Sequence, residues 1–272
     1  INSYTVSSVS AGLGMGHDSS GSYFARSGLA DVEVHSSGGY TGSIFPNSGA
    51  YNHIGDVDGH GGKLYVPMQR DDIREKAFFV YDFASRSKLY ELTYAVPGWD
   101  DTRNGWVGVD PTGAYLAGGG FGYDGHFPYY VNRSSGGSLT SPGSIVLSQG
   151  LSNVQGCDFV SGTQLICVQD GSGYADNHAY RVDLARPLDG AGNVYGTVTD
   201  MGQVALDFPT ILGSPPAWCD SEGEKNKAET EAVDYNQATG ELIIQWYPGH
   251  SCNVGISIES VYERFLPDPP PP

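Results

Sequence analysis

A chain of 272 residues with 31 Asp and Glu against 14 Lys and Arg has a formal net charge of −17. Such a polyanion repels DNA, RNA and anionic lipid, and no apolar run is long enough to span a bilayer, so nucleic-acid and membrane partners are not expected. Glycine at 39 residues, tyrosine at 18 and the lack of a sustained helical period leave an all-β chain rich in tight turns.

In chain order, the first candidate strand is Ser3–Val9. Then come a strand end, Asp18, a short turn closed by Gly21, and a new strand from Tyr23. The pattern returns at Asp58 with Gly62 and Leu64, and at Asp110 with Gly113 and Tyr115. It returns again at Asp158 with Gly162 and Leu165, and at Asp234 with Gly240 and Leu242. Asp opens such turns and Gly supplies the positive φ that closes them, so each is a β-hairpin. More strands follow: Lys63–Met68, Ala77–Phe83 and Leu89–Ala95 after the second hairpin, and Ala114–Gly118, Phe127–Asn132 and Ser144–Leu147 after the third. The fourth is followed by Gln164–Gln169, Ala179–Leu184 and Val194–Thr199. A repeat of this period points to a propeller, whose ring closure protects most sheet edges. The sequence predicts a single five-bladed β-propeller of four-stranded antiparallel blades over residues 1–266, followed by a Pro-rich tail or linker at 267–272. Ser3–Val9 is expected to complete the last blade. A β-sandwich is the other fold that this strand content allows, but it would not require the hairpin to recur.

The start at Ile1, the low lysine content and four cysteines point to a processed, secreted, monomeric protein. Cys219 and Cys252 are expected to bridge an inter-blade insertion to the last blade. Cys157 and Cys167 flank the fourth hairpin in a slightly diagonal register and form a second candidate bridge; free buried thiols are the alternative. The spacing matches no zinc site. Asn132-Arg133-Ser134 is an N-glycosylation sequon.

The run from His53 to Asp58, followed by Lys63-Leu-Tyr-Val-Pro67, resembles a blade motif of the secreted β-propeller superfamily. The resemblance covers the repeat framework and implies the fold; functions on that fold range from lectins and lyases to hydrolases and scaffolds. It also implies a calcium ion on the axis. Two places before each repeat Asp stand Gly16, Asp56, Gly108, Gly156 and Ala232. Four are small, as crowding at an axis requires, and Asp56 is the exception that needs a cation or a donor. One channel end is expected to gather His53, Asp56, Asn153, Gln155, Glu229 and Glu231. Asp56, Gln155 and Glu231 are the candidate Ca²⁺ ligands. The metal-free alternative pairs Asp56 with His53 or with backbone amides. The repeat aspartates themselves read as turn residues.

Loops after the second strands are expected to open on one face. They carry aromatic and titratable groups in unequal numbers, which points to one asymmetric site. His53, His126, His178, Tyr123, Tyr174 and Arg70 are the candidate catalytic residues, because His and Tyr move protons and Arg neutralises a carboxylate. Trp99, Arg103, Trp106, Asp124, Asp176, Trp246 and His250 are the candidate substrate-binding residues, because a sugar ring needs an apolar platform and fixed polar partners. The resulting expectation is a secreted, calcium-dependent enzyme acting on an extracellular glycan or polysaccharide, a uronate lyase ahead of a glycosidase. A single-site glycan-binding or adhesion module and a non-catalytic scaffold are the alternatives. The chain has no Gly-x-Ser-x-Gly nucleophile turn, and Gly118–Gly122 is not a phosphate loop because no Lys or helix follows.

Overall fold

Residues 3–7, 13–28, 30–46, 51–70, 75–95, 104–120, 125–171, 176–204, 228–248 and 257–262 are described in the computed structural model. The first strand, β1 (Ser3–Ser7), skips its neighbours in sequence and pairs antiparallel with the last, β22 (Ser257–Tyr262). Next, β2 (Gly14–His17), β3 (Tyr23–Ser27), β4 (Val32–Ser36) and β5 (Gly39–Ile44) form an antiparallel sheet in chain order. In the second unit β6 (Tyr51–Ile54) and β7 (Asp58–His60) both pair with β8 (Lys63–Arg70), which is followed by β9 (Glu75–Asp82) and β10 (Lys88–Ala95). The break between β6 and β7 lies opposite Pro67, which accepts from Gly55 N at 3.2 Å but has no N–H to return.

The third unit runs β11 (Trp106–Val109), β12 (Tyr115–Gly119), β13 (His126–Val131), then the two-residue β14 (Gly137–Ser138) and β15 (Gly143–Leu147). The fourth comprises β16 (Val154–Ser161), β17 (Gln164–Gln169), β18 (His178–Leu184) and β19 (Val194–Gln203). The fifth has β20 (Ala228–Asn236) and β21 (Glu241–Pro248), with β22 and then β1 on its outside. The closure expected from Ser3–Val9 is thus present. All five hairpins form, β2–β3, β7–β8, β11–β12, β16–β17 and β20–β21.

The innermost strands touch in a cycle, β2 to β7 to β11 to β16 to β20 and back to β2. Hydrophobic clusters lie between successive units, which fixes a propeller-like, all-β arrangement. Val34 and Ile44 meet Ile54, Val66 and Phe79; Phe78 and Leu92 meet Val107, Leu116 and Tyr130. Trp106, Phe127 and Ile145 meet Phe159, Leu165 and Val182; Ile166 and Val168 meet Leu242, Ile244 and Trp246. Met15 and Phe24 close the series against Ala232 and Ile243. The small residues expected at the axis are needed: a Cβ on Gly16 would sit 2.6 Å from Val57 O.

The sheets are not isolated four-strand blades. The outer strands β15 and β19 pair in parallel, Ile145 to Val194 through Leu147 to Gly196, which joins the third and fourth units into one eight-stranded sheet. The approach is possible because Gly143 lies against Gly192, where a Cβ would come within 2.6 Å of the Gly192 carbonyl carbon. β14 pairs in parallel with β10 and extends the second unit's sheet to six strands. Each contact covers an outer edge that would otherwise be open.

Cys157 and Cys167 form a disulfide, buried between β16 and β17. The two residues are directly paired with a Cα–Cα distance of 4.1 Å, so the register is square and not diagonal. Cys219 and Cys252 lie outside the described residues. Replacing both Cys157 and Cys167 by Ala removes the closed loop's restriction on the unfolded chain and is expected to cost about 2–3 kcal/mol. Urea unfolding with the denaturant slope held in view checks this; an unchanged midpoint would show that the hairpin holds its register without the bridge.

Candidate functional site

Inner strands that run parallel around an axis cannot all complete a regular ladder with their neighbours, and buried carboxylates fill the gap. Asp18 Oδ1 accepts from Gly62 N at 2.7 Å, Asp58 Oδ2 from Val109 N at 2.6 Å and Asp158 Oδ2 from Tyr235 N at 2.6 Å. Asp234 Oδ1 accepts from His17 N at 2.9 Å, and its Oδ2 meets His17 Nδ1 in a short contact. Each bond crosses from one unit to the next. The reading of these residues as plain turn formers holds for Asp110, which binds Thr112 N and Tyr115 N within its own hairpin. Asp58, Asp158 and Asp234 instead lie inside strands β7, β16 and β20 and are buried.

These three bring carboxylate oxygens within 4.8 Å of one another. Burial pushes Asp58 well above the usual carboxylate range, opposed by the amides of Val109 and Gly59 and reinforced by the charge of Asp234. Asp158 is raised by burial first and then by Asp58 and Asp234. Asp56 joins this layer: it is buried, its Oδ1 accepts from Met15 N at 2.9 Å, and burial and the same three carboxylates raise it. The donor that Asp56 needs is therefore a backbone amide, as the metal-free alternative requires. The trio also fits a hard cation in part, since each oxygen keeps a lone pair beyond its amide bond, although three carboxylates fall short of the six to eight oxygens that Ca²⁺ takes.

Three residues along β16 and β20, about 10 Å at strand rise, separate this layer from a second acidic group at the channel mouth. There Asp170, following β17, receives Thr230 N and Thr230 Oγ1 on Oδ1, both at 2.7 Å. Its carboxyl is raised to about 7, chiefly by burial and further by Glu229, while Thr230 and Gln155 oppose the shift. Burial, a hydrogen bond with Glu229 and the charges of Glu229 and Asp170 raise Glu231 well above its usual value. Gln155 Nε2 donates to Asn153 Oδ1 at 3.3 Å, and Asn153 Nδ2 to Asp170 O at 3.2 Å. Asn153 sits at φ 53, in the left-handed region that Asn tolerates better than most residues. This strained residue opens β16 beside the acids.

The expected ligand set is thus divided. Gln155 and Glu231 border Asp170 at the mouth, whereas Asp56 belongs with the axial acids. Trp106 and Trp246 are corrected outright: they are 0% and 1% exposed, packed in the inter-unit clusters, and offer no face to a sugar. The sequon nitrogen is engaged as well, since Asn132 Nδ2 donates to Tyr65 Oη at 2.9 Å and to Gly113 O at 2.8 Å, so a glycan there would displace both bonds. His178 opens β18 on the outer half of its unit, between Asp200 and Asp176, which hold its imidazole above the ordinary value, Asp200 foremost. Arg70 ends β8 over the Tyr51 ring at 5.6 Å and reaches Glu75 at 4.0 Å. His53 lies in β6 opposite Gln69, and His126 begins β13 opposite Val146, both half-buried. By strand order His53, Arg70, His126 and His178 share the face that Asp170 occupies, at different distances from the axis. Trp99, Arg103, Tyr123, Asp124, Tyr174 and His250 lie outside the described residues. Asp170 and the axial trio are site candidates that the sequence does not single out, because the contacts that distinguish them come from distant segments.

The folded chain keeps a proton on Asp170 up to about pH 7, whereas the unfolded chain releases it near the ordinary value of 3.8. The native state therefore binds more protons between these values, and stability falls as pH rises through that window, by about 4 kcal/mol at most. Asp56, Asp58, Asp158 and Glu231 act with the same sign. Melting temperature is expected to fall between about pH 4 and about pH 7, and Asp170→Asn to flatten the curve across that window. An unaltered slope in the variant would assign the dependence to the other acids.

No family model matches the chain, and no curated protein matches it. Among solved structures, it is similar to Kuenenia stuttgartiensis hydrazine synthase at 14% identity and a TM-score of 0.48, over 90% of this chain and 58% of that one. Kluyvelomyces marxianus Hsv2 matches at 10% identity and a TM-score of 0.40, over 88% and 59%. The RRP9 WD40 repeats match at 8% identity and a TM-score of 0.45, over 89% and 64%. The chain spans roughly six-tenths of the length of these structures.

Proposed function

We propose that the chain is a secreted five-bladed β-propeller with four-stranded antiparallel blades, acting on extracellular carbohydrate as a uronate lyase at the loop-bearing mouth of its channel. Support for the blade count comes from the five hairpins, the cyclic contacts of the innermost strands and the clusters between successive units. The activity rests on one observation, the Asp170–Glu231 pair: two buried carboxyl groups with raised pKa values at the mouth, one of them at about 7. A carboxylic acid that keeps its proton near neutrality can donate a hydrogen bond to an ionised uronate, and this stabilises the charge that develops when the neighbouring C5 proton leaves. The reaction breaks C5–H, forms the C4–C5 double bond and breaks the C4–O bond, with a proton delivered to the departing oxygen. Arg70 adds positive charge for the uronate, and His53 and His126 on the same face are the candidates to move the two protons. Ca²⁺ is the proposed cofactor, held by Asp58, Asp158 and Asp234, where it would neutralise the axial charge.

A second reading, a non-catalytic scaffold, is favoured by the way main-chain amides take up the axial carboxylates. Polyuronides such as pectate and alginate are the direct test, read by the ultraviolet absorbance of the unsaturated product. Turnover is expected, lost in EDTA and restored by Ca²⁺. Asp170→Asn is expected to lower kcat by about 10²–10⁴-fold without lowering the melting temperature. Neither new absorbance nor new reducing ends on any polyuronide would overturn the enzyme reading, and binding without turnover would replace it with a glycan-binding module.

A further inference from the structure

On the opposite face, where the hairpin turns lie, the second and third units border an open pocket of about 380 Å³ lined by His60, Gly61, Lys63, Tyr65, Thr112, Gly113, Asn132, Arg133 and Ser134. Among the described residues no carboxylate lines it, in a chain where Asp and Glu outnumber Lys and Arg by 31 to 14. Lys63 Nζ gives one hydrogen bond, to Tyr90 Oη at 3.1 Å, and Arg133 Nη1 gives one to Ser138 O at 3.1 Å. Both cations therefore retain N–H groups for a ligand. Asp110, the acid just behind Thr112, has its oxygens occupied by Thr112 and Tyr115. Gly113 shapes the wall: at φ 71, a Cβ would lie 2.5 Å from the His60 ring.

We propose that this pocket is a binding site for a sulfate or phosphate ester on a ligand of about monosaccharide size. Lys63 at the start of β8, Arg133 in the turn after β13, a histidine and the hydroxyl of Ser134 surround the space from several directions. That arrangement matches a tetrahedral oxyanion, which offers acceptors on three sides, better than a planar carboxylate, which a single guanidinium fork would satisfy. The volume lies in the range of small-ligand sites and exceeds what one inorganic anion needs. The site stands apart from the channel mouth and does not rest on the reading of that face.

Calorimetric titration at constant ionic strength tests it, with inorganic phosphate, inorganic sulfate, glucose 6-phosphate, glucose 6-sulfate and glucuronate as probes. Saturable binding of one ester is expected, tighter than its inorganic anion, and whichever of the two esters binds more tightly identifies the source. Lys63→Gln and Arg133→Gln are each expected to weaken it by about tenfold or more, the loss of one charge-assisted hydrogen bond. Arg133 is exposed, so its variant keeps the test valid even if Lys63→Gln lowers the melting temperature. Absence of saturable binding, equal binding of glucuronate, or wild-type affinity in Arg133→Gln would overturn the proposal.

Discussion

The interaction on which the rest of the molecule depends is a buried aspartate accepting a main-chain N–H from the next unit. Neighbouring inner strands splay from the axis, so a continuous parallel ladder is not available to satisfy their amides, and an unsatisfied buried amide is costly. Asp18, Asp58, Asp158 and Asp234 each supply an acceptor across one junction. Asp56 and Asp170 repeat the device toward Met15 and Thr230. The junction between the third and fourth units differs, because Asp110 is turned into its own hairpin. There the units are joined at the periphery instead, by the parallel pairing of β15 with β19.

This solution concentrates negative charge where solvent is scarce. Each aspartate that staples a junction also loses hydration, and those nearest the axis raise one another. Asp56, Asp58 and Asp158 among them are held above the usual carboxylate range by burial, which couples closure to protons or to a cation. The cations are arranged in the opposite sense. Lys63 and Arg133 line a pocket on the hairpin face that is carboxylate-free among the described residues, away from the acids of the mouth.

The turns were the most legible part of the sequence. Asp followed by a closing Gly marks all five hairpins, and the apolar runs that follow place β8, β17 and β18 close to their observed bounds, whereas β19 runs four residues past its expected end. The closing role of the N-terminal strand was legible as well, because an unpaired outer position in the last blade needed a partner. Of the six residues expected at one channel end, Asn153, Gln155, Glu229 and Glu231 lie about Asp170, whereas Asp56 belongs to the axial layer. The role of the aspartates was hidden, because a turn former and an inter-unit acceptor look the same in one dimension. Trp106 and Trp246 misled for a related reason: their neighbours in sequence are loops, but their side chains turn into inter-unit cores. Asp170 has no local sequence signal, and its distinction comes from Thr230, sixty residues away.

A repeated fold offers equivalent junctions, so a single site has to come from broken symmetry. At the mouth, Asp170, Glu229, Glu231 and Gln155 all belong to the fourth and fifth units, and the same face of the second unit presents Arg70 against Tyr51 and Glu75. At the axis, Asp56 takes a place held elsewhere by Gly or Ala, and the room for it comes from across the channel. A Cβ on Gly156 would lie against Asp56 Oδ2, so the small residue in the fourth unit and the acid in the second are one feature. The framework residues set the ring, and it is at these unequal positions that the ring acquires direction, with acids at one mouth and cations beneath the opposite face.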